Sequence, residues 1–266
     1  MNITTNTEKL IAHKDGAAGW ITFNNPAKRN AMSFDMWLGL DIALNDFIAD
    51  PAIRVIVLKG AGDKAFVSGA DISEFKEKRA NPEMVAEYNK VSVTIAQKLL
   101  NCPKPTIAMI RGFCMGGGLG LAAACDIRLC ADNAVFRMPA ARLGIGYSFE
   151  GLGRVIDLIG PANASDIFLS ARRFNAAEAL RLGFVQQVLP LAEFAAASRA
   201  YLTQMAENAP LSLLAMKRST RAWLQPAAER DMAAVKAAVA VCMQSDDHRE
   251  GKAAFMEKRT PNFQGR

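Results

Sequence analysis

Two segments of the chain combine glycine with other small residues where an apolar stretch gives way to a predicted helix: KAFVSGADISEF (64–75) and GFCMGGGLGLAAACDI (112–127). A turn of this kind presents unpaired backbone N–H groups, reinforced by the helix dipole, to an anion or a polarised carbonyl oxygen. Two such groups that converge on one oxygen form an oxyanion hole, where each donor lowers a barrier by about 3–4 kcal/mol. Close packing of strand against helix would explain a lone GGG triplet, but the pair of turns favours the oxyanion site.

The elements that must position these turns follow from the hydrophobic pattern. Continuous apolar runs bounded by glycine predict strands buried on both faces, and they alternate with helical stretches at 33–50 and 82–101. This alternation predicts an α/β fold with parallel strands. The predicted strands are 19–25, 53–60, 106–112, 126–132 and 183–189. Successive helices separated by proline follow, so we divide the chain into a core at 1–197 and a helical region at 198–266.

Composition excludes several classes of function. The five cysteines include no CxxC pair and there are two histidines, so neither a zinc site nor a histidine relay is expected, and we predict no metal. Reduced cysteines, no signal peptide and no long apolar run predict a cytoplasmic protein without a membrane segment. The net charge of +6, without long runs of basic residues, favours an anionic small ligand over nucleic acid.

With their flanking segments, the two turns resemble the signature of the crotonase (enoyl-CoA hydratase/isomerase) superfamily over nearly the whole chain. The matching segments include NNPAKRNAMS (24–33), LGIGYSFEGLGRVIDLIG (143–160) and DDHREGKAAFMEKRTPNF (246–263). The resemblance implies a spiral of ββα turns and a C-terminal helical trimerisation region, in a homotrimer or a dimer of trimers. It also implies an acyl-CoA thioester substrate and no tightly bound cofactor, since coenzyme A enters as part of the thioester.

The resemblance carries residue roles onto this chain. The backbone N–H groups of Ala70 and Gly117 match the oxyanion donors. Phe255 and Lys258 match positions where a neighbouring subunit can contribute to the CoA site. The remaining CoA positions lie at the two turns and near the N-terminus, where basic side chains would meet phosphates: Ala27, Lys28, Arg29, Ala65, Ser68, Asp71, Ile72 and Gly116.

The chain departs from the family pattern at the two glutamates with which a hydratase holds and deprotonates water. Gly120 stands at one of these positions and Ala140 at the other. Paired carboxylates position a water and exchange its proton, and neither glycine nor alanine can do so. This departure puts ordinary hydration by the family mechanism in doubt.

The loop at 143–154 carries two candidate replacements, Tyr147 and Glu150. It is similar to the loop of methylmalonyl-CoA decarboxylases, which has a functional tyrosine at the Tyr147 position, although the histidine that those enzymes keep near the first turn is absent. Glu150 lies near the sequence position that corresponds to the single glutamate of some enoyl-CoA isomerases, and a small shift in the alignment is needed to match the two. Tyr147 could instead cap the acyl pocket, and Glu150 could serve the start of a helix, just as Glu74 could be an exposed helical residue.

These residues favour an acyl-CoA enzyme that acts through a stabilised enolate, of the enoyl-CoA hydratase/isomerase type. A malonyl-type decarboxylase is the first alternative, because loss of CO₂ generates the enolate without a strong base. A non-catalytic CoA- or RNA-binding module is the second, since the superfamily has RNA-binding members and the pI is near 9.1.

Overall fold

The structure is a computed structural model and describes residues 1–71 and 82–266. Its larger sheet has seven strands in the order β1-β2-β3-β4-β6-β8-β11, and the pairs from β3 to β11 are parallel. The predicted α/β class with parallel strands is therefore confirmed. The strands of this sheet are β1 (Asn2–Ile3), β2 (Leu10–Asp15), β3 (Ala18–Phe23), β4 (Val55–Gly60), β6 (Thr106–Ile110), β8 (Ile127–Ala131) and β11 (Gln187–Leu189).

A smaller sheet of four strands has the order β10-β9-β7-β5. The chain alternates between the two sheets, because β4, β6 and β8 of the large sheet are each followed by β5, β7 and β9 of the small one. A helical stretch then leads to the next repeat, which is the spiral of ββα turns that the resemblance implies. The strands of the small sheet are β5 (Ala65–Val67), β7 (Phe113–Met115), β9 (Val135–Arg137) and β10 (Arg173–Asn175).

The helices around the sheets begin with α1, which Ser33 caps by accepting a hydrogen bond from the Met36 N–H. The bounds of the first helices are α1 (Phe34–Ala49), α2 (Pro82–Leu100), α3 (Gly117–Ala124), α4 (Phe149–Ser170) and α5 (Ala176–Arg181). The backbone of α4 breaks at Gly160, which has a φ of 77° and precedes Pro161. Among the described residues, no helix combines the length and apolar character needed to cross a membrane.

The C-terminal helices divide into one that packs on the sheet and three that leave apolar surface exposed. These are α6 (Phe194–Ala206), α7 (Pro210–Leu224), α8 (Met232–Gln244) and α9 (Asp246–Glu257). Phe194 and Leu202 of α6 bury against β4 and β8, so the division at 197/198 falls inside this helix. Exposed apolar side chains on the other three include Trp223, Met243 and Phe255. Such a surface is typical of an interface between proteins, and the trimer or dimer of trimers stays a prediction.

Burial of cysteine thiols makes the free energy of unfolding depend on pH in the alkaline range. Burial raises the pKa of both Cys125 and Cys130 from 9.0 to about 12. Between these values the unfolded chain loses the thiol protons while the folded chain keeps them, so the free energy of unfolding falls as pH rises above about 9.

We expect the urea concentration at the unfolding midpoint to fall when the pH is raised from about 8 to about 10.5, and to fall less in Cys125→Ala. A control, Cys242→Ala, removes a thiol that is not fully buried. An equal fall of the urea midpoint with pH in Cys125→Ala and in the wild-type protein would contradict this account.

Candidate active site

The two glycine-containing turns meet at the start of α3. A Cβ atom added to Gly117 would stand 3.9 Å from the carbonyl carbon of Gly69 and 4.0 Å from the backbone nitrogen of Ala70. The structure therefore brings the two predicted oxyanion donors, Ala70 and Gly117, to one place. The space that a side chain at position 117 would fill lies beside the N–H group of Ala70.

The hydrogen bonds around these donors leave both N–H groups available. Met32 pairs with Ala70 in a parallel bridge, in which the Met32 N–H donates to Gly69 O and the Asp71 N–H donates to Met32 O, both at 2.8 Å. Because the flanking residues make these bonds, the Ala70 N–H points away from Met32, and it has no acceptor among the described residues. Gly117 is the first residue of α3, where an N–H has no partner within the helix.

The presence of glycine has a different physical explanation at each position of the triplet. Gly116 has φ 53° and ψ −115°, a conformation that side chains disfavour. A Cβ at Gly118 would stand 2.2 Å from Val67 O, so glycine is needed there for the close packing of α3 on β5. Close packing, the structural alternative for the triplet, thus accounts for Gly118, whereas position 117 has room for a side chain.

Tyr147 lies against the position of the first missing glutamate. A Cβ at Gly120 would stand 2.7 Å from the Tyr147 hydroxyl oxygen, and one at Gly151 would stand 2.6 Å from the Cε1 of the same ring. The ring also contacts Phe168 edge to face at 5.2 Å. The tyrosine hydroxyl thus occupies space that a side chain at position 120 would need. Burial raises the pKa of Tyr147 to about 12, so at neutral pH it is a hydrogen-bond donor.

The second missing glutamate and Glu150 lie on the segment that follows β9. Ala140 is buried and comes directly after Pro139, whose ring would lie 3.8 Å from a Cβ at Gly116. Ser148 caps α4 by accepting a hydrogen bond from the Gly151 N–H at 3.1 Å. Glu150 follows in the first turn of α4, with an exposed side chain that makes no hydrogen bond or ion pair with the described residues. A carboxylate at this place suits the helix dipole, and its catalytic role stays a prediction.

The predicted CoA positions near the N-terminus form one patch with the 65–71 segment. Lys28 Nζ pairs with the buried carboxylate of Asp71 at 2.9 Å, and the Ser68 hydroxyl donates to Lys28 O at 3.2 Å. Arg29 lies over the Phe113 ring at 5.1 Å. The structure thus brings together the residues predicted here, which are Ala27, Lys28, Arg29, Ala65, Ser68 and Asp71. Their contact with CoA stays a prediction.

The sequence analysis did not identify Asn30, whose hydrogen bonds connect the segments of this patch. Asn30 is fully buried, and its side-chain amide donates to Ala61 O at 2.9 Å and to Ala65 O at 2.8 Å. Its side-chain oxygen accepts from the Asn25 N–H at 3.0 Å. The left-handed φ of 56° at this residue is one that asparagine tolerates. An asparagine after two basic residues in a proline-containing loop was the available signal.

Some predicted residues fall outside the described part of the chain or lie away from this patch. Ile72 and Glu74 fall outside the described residues. Phe255 and Lys258 lie at the end of α9, where Phe255 is 82% exposed and Lys258 adopts the left-handed conformation that ends the helix. Within this single chain neither is buried in the patch around Lys28, and the contribution of a neighbouring subunit stays a prediction.

Known proteins resemble this chain in sequence and in fold. Residues 13–266 match the family model described as enoyl-CoA hydratase/isomerase. A carnitinyl-CoA dehydratase of Escherichia coli O157:H7 is 34% identical over 268 residues, covering 98% of this chain and 100% of the relative. A short-chain-enoyl-CoA hydratase of Clostridium acetobutylicum is 32% identical over 250 residues, covering 94% and 95%.

Solved structures extend the likeness to three dimensions. The crystal structure of an enoyl-CoA hydratase/carnithine racemase from Magnetospirillum magneticum superposes with a TM-score of 0.90 at 34% identity, covering 98% of this chain and 97% of that one. An enoyl-CoA hydratase from Bacillus anthracis gives 0.91 at 28% identity, covering 97% and 100%. Sequence, fold and the convergence of the two turns agree, and the chain belongs to the enoyl-CoA hydratase/isomerase family of the crotonase superfamily.

Proposed function

We propose that this protein is an acyl-CoA enzyme whose reaction passes through an enolate held by the backbone N–H groups of Ala70 and Gly117. The observation that carries the proposal is the convergence of two N–H groups that have no acceptor within the described chain. Donors fixed in this way stabilise the negative charge that develops on a thioester oxygen. The basic patch around Lys28 and Arg29 suits the phosphates of CoA.

We propose chemistry of the enoyl-CoA hydratase/isomerase type, with Tyr147 in place of the glutamate pair. In hydration, water oxygen bonds to Cβ of the enoyl thioester and the π electrons move to the thioester oxygen. The Tyr147 hydroxyl then gives its proton to Cα and takes one from the adding water, so that the tyrosine is regenerated. Its position against Gly120, where the family carries a glutamate, supports this role.

Decarboxylation of a malonyl-type thioester is the second candidate. Here the bond to the carboxylate breaks, its electron pair forms the enolate, and Tyr147 protonates Cα before regaining a proton from solvent. Burial keeps Tyr147 protonated, with a pKa of about 12, which suits a proton donor better than a base. Positions 120 and 140 carry no carboxylate to act as base.

The deciding experiment follows the conjugated absorbance of crotonyl-CoA with purified protein, beside release of CO₂ from malonyl-CoA and methylmalonyl-CoA. Loss of the enoyl absorbance supports the hydratase/isomerase type, and CO₂ release supports the second candidate. Glu150→Gln is measured in parallel, because a loss there would assign the base to Glu150 instead of Tyr147. Binding of all these thioesters without turnover of any would contradict the enzymatic proposal.

A further inference from the structure

A cavity of about 330 Å³ lies one helical turn from Tyr147. Gly120 of α3 and Gly151 of α4 both face the Tyr147 side chain. Residues three positions further along a helix share a face with them, and these two residues, Ala123 and Arg154, line the cavity. The cavity therefore lies beside the C-terminal half of α3, one turn beyond the tyrosine contact, and α7 contributes its opposite wall.

Arg154 lines this cavity with a half-buried guanidinium group, which the carboxylate of Glu150, one turn earlier on α4, influences through space without an ion pair. Its Nε atom is buried and has no hydrogen-bond acceptor, and its guanidinium group forms no hydrogen bond or ion pair with the described residues. The two neighbouring cations differ, because Lys217 and Arg221 pair with Asp126 at 2.6 Å and 3.3 Å. Burial lowers the pKa of Arg154. A partly buried cation whose Nε has no acceptor is unfavourable, and a bound anion would relieve the cost.

Much of the remaining wall suits an alkyl chain. It includes Leu100, Leu158, Met216 and Leu224, while Asp126 and Asp157 add carboxylates. Apolar lining with a few placed polar groups is typical of a small-molecule site. Gly117 and Ala123 lie six residues apart on α3, a rise of about 9 Å. A malonyl group, whose carboxylate lies next to the thioester, cannot span that distance, whereas an acyl chain of medium length can.

We propose that Arg154 binds a carboxylate at the far end of the acyl chain, so that the preferred substrates are CoA thioesters of medium-length dicarboxylic acids. This inference rests on the proposed function, since it takes the thioester carbonyl to lie between Ala70 and Gly117. The planar guanidinium matches a carboxylate with two parallel hydrogen bonds. The apolar part of the wall accepts the methylene chain, and Tyr147 lies beside Gly120, one turn before Ala123 on α3.

The test measures the dissociation constants of octanedioyl-CoA and octanoyl-CoA by calorimetry. These probes have equal chain lengths, and one ends in a carboxylate where the other ends in a methyl group. We expect the wild-type protein to bind octanedioyl-CoA about tenfold to a hundredfold more tightly. Arg154→Gln should abolish this preference and Arg154→Lys should retain part of it. Arg218→Gln is the matched control, since it removes a cation from the exposed side of α7, outside this cavity.

A second readout guards against variants that merely misfold. Because Arg154 forms no hydrogen bond or ion pair with the described residues, Arg154→Met should unfold at a urea concentration no lower than the wild-type protein does. Equal binding of the two thioesters, or tighter binding of octanoyl-CoA, would overturn the inference and leave the proposed function standing. Failure of the wild-type protein to bind either thioester would overturn both.

Discussion

Replacement of Gly117 by proline is expected to lower kcat/KM about a hundredfold to a thousandfold while the fold stays intact. Proline deletes the N–H group that Gly117 presents to the thioester oxygen. Position 117 is the first residue of α3, where proline is well accommodated. The preceding Gly116 has a ψ of −115°, outside the helical region that proline disfavours in its predecessor. The measurement is steady-state kinetics on whichever thioester turns over.

The matched control for this variant is Gly117→Ala, which retains the N–H group. Its added methyl group would meet no atom closer than 3.9 Å, so the alanine variant should fold, and it should keep more activity than the proline variant. Thermal melting of both variants reports whether α3 still packs. Wild-type kcat/KM in a folded Gly117→Pro protein would show that this N–H group has no part in the reaction.

The second large effect is expected for Tyr147→Phe, which removes one oxygen atom and keeps the ring packed against Phe168. Loss of a proton-transfer group lowers kcat about a hundredfold to ten-thousandfold. Gly120→Ala should act in the same direction, because its Cβ would stand 2.7 Å from the tyrosine oxygen and must displace it. Since both changes remove the same hydroxyl from one place, the double variant should be little worse than Tyr147→Phe alone.

Tyr201→Phe provides the control for loss of a tyrosine hydroxyl. Tyr201 lies on α6 and packs with the cluster on the other face of the large sheet, away from α3. Its kinetics should match those of the wild-type protein. Full activity in Tyr147→Phe would show that Tyr147 only lines the acyl pocket and transfers no proton. Strictly additive losses in the double variant would show that Gly120 and Tyr147 act separately.

Much of the fold follows from local pattern, and the exceptions have local causes. The buried parallel strands β4 and β6 are continuous apolar runs, and they lie where the sequence predicts them. The predicted strand at 183–189 is wrong in its first half. Gly183 has a φ of 81°, and the Phe184 N–H bonds to Ala179 O, so these apolar residues close the end of α5. An apolar run alone does not distinguish a strand from such a helix end.

The candidate site divides in the same way between local and long-range features. Glycine, small residues and a following helix mark both turns in the sequence, and their convergence follows from neighbouring repeats of the spiral. The contact of Tyr147 with Gly120 joins residues from different elements, and no local pattern encodes it. Arg154 is a similar case, because the cavity that it lines is completed by α7, whose Lys217 and Arg221 pair with Asp126.

The most direct test of the oxyanion hole is infrared spectroscopy of bound butyryl-CoA that carries an isotope label at the thioester carbonyl carbon. This saturated ligand reports polarisation of the carbonyl group without depending on which reaction the enzyme performs. We predict that the labelled carbonyl stretch moves to lower frequency on binding to the wild-type protein, and moves less in Gly117→Pro. An unshifted stretch in the wild-type complex, with binding demonstrated in the same sample, would contradict the assignment of Ala70 and Gly117 as the oxyanion donors.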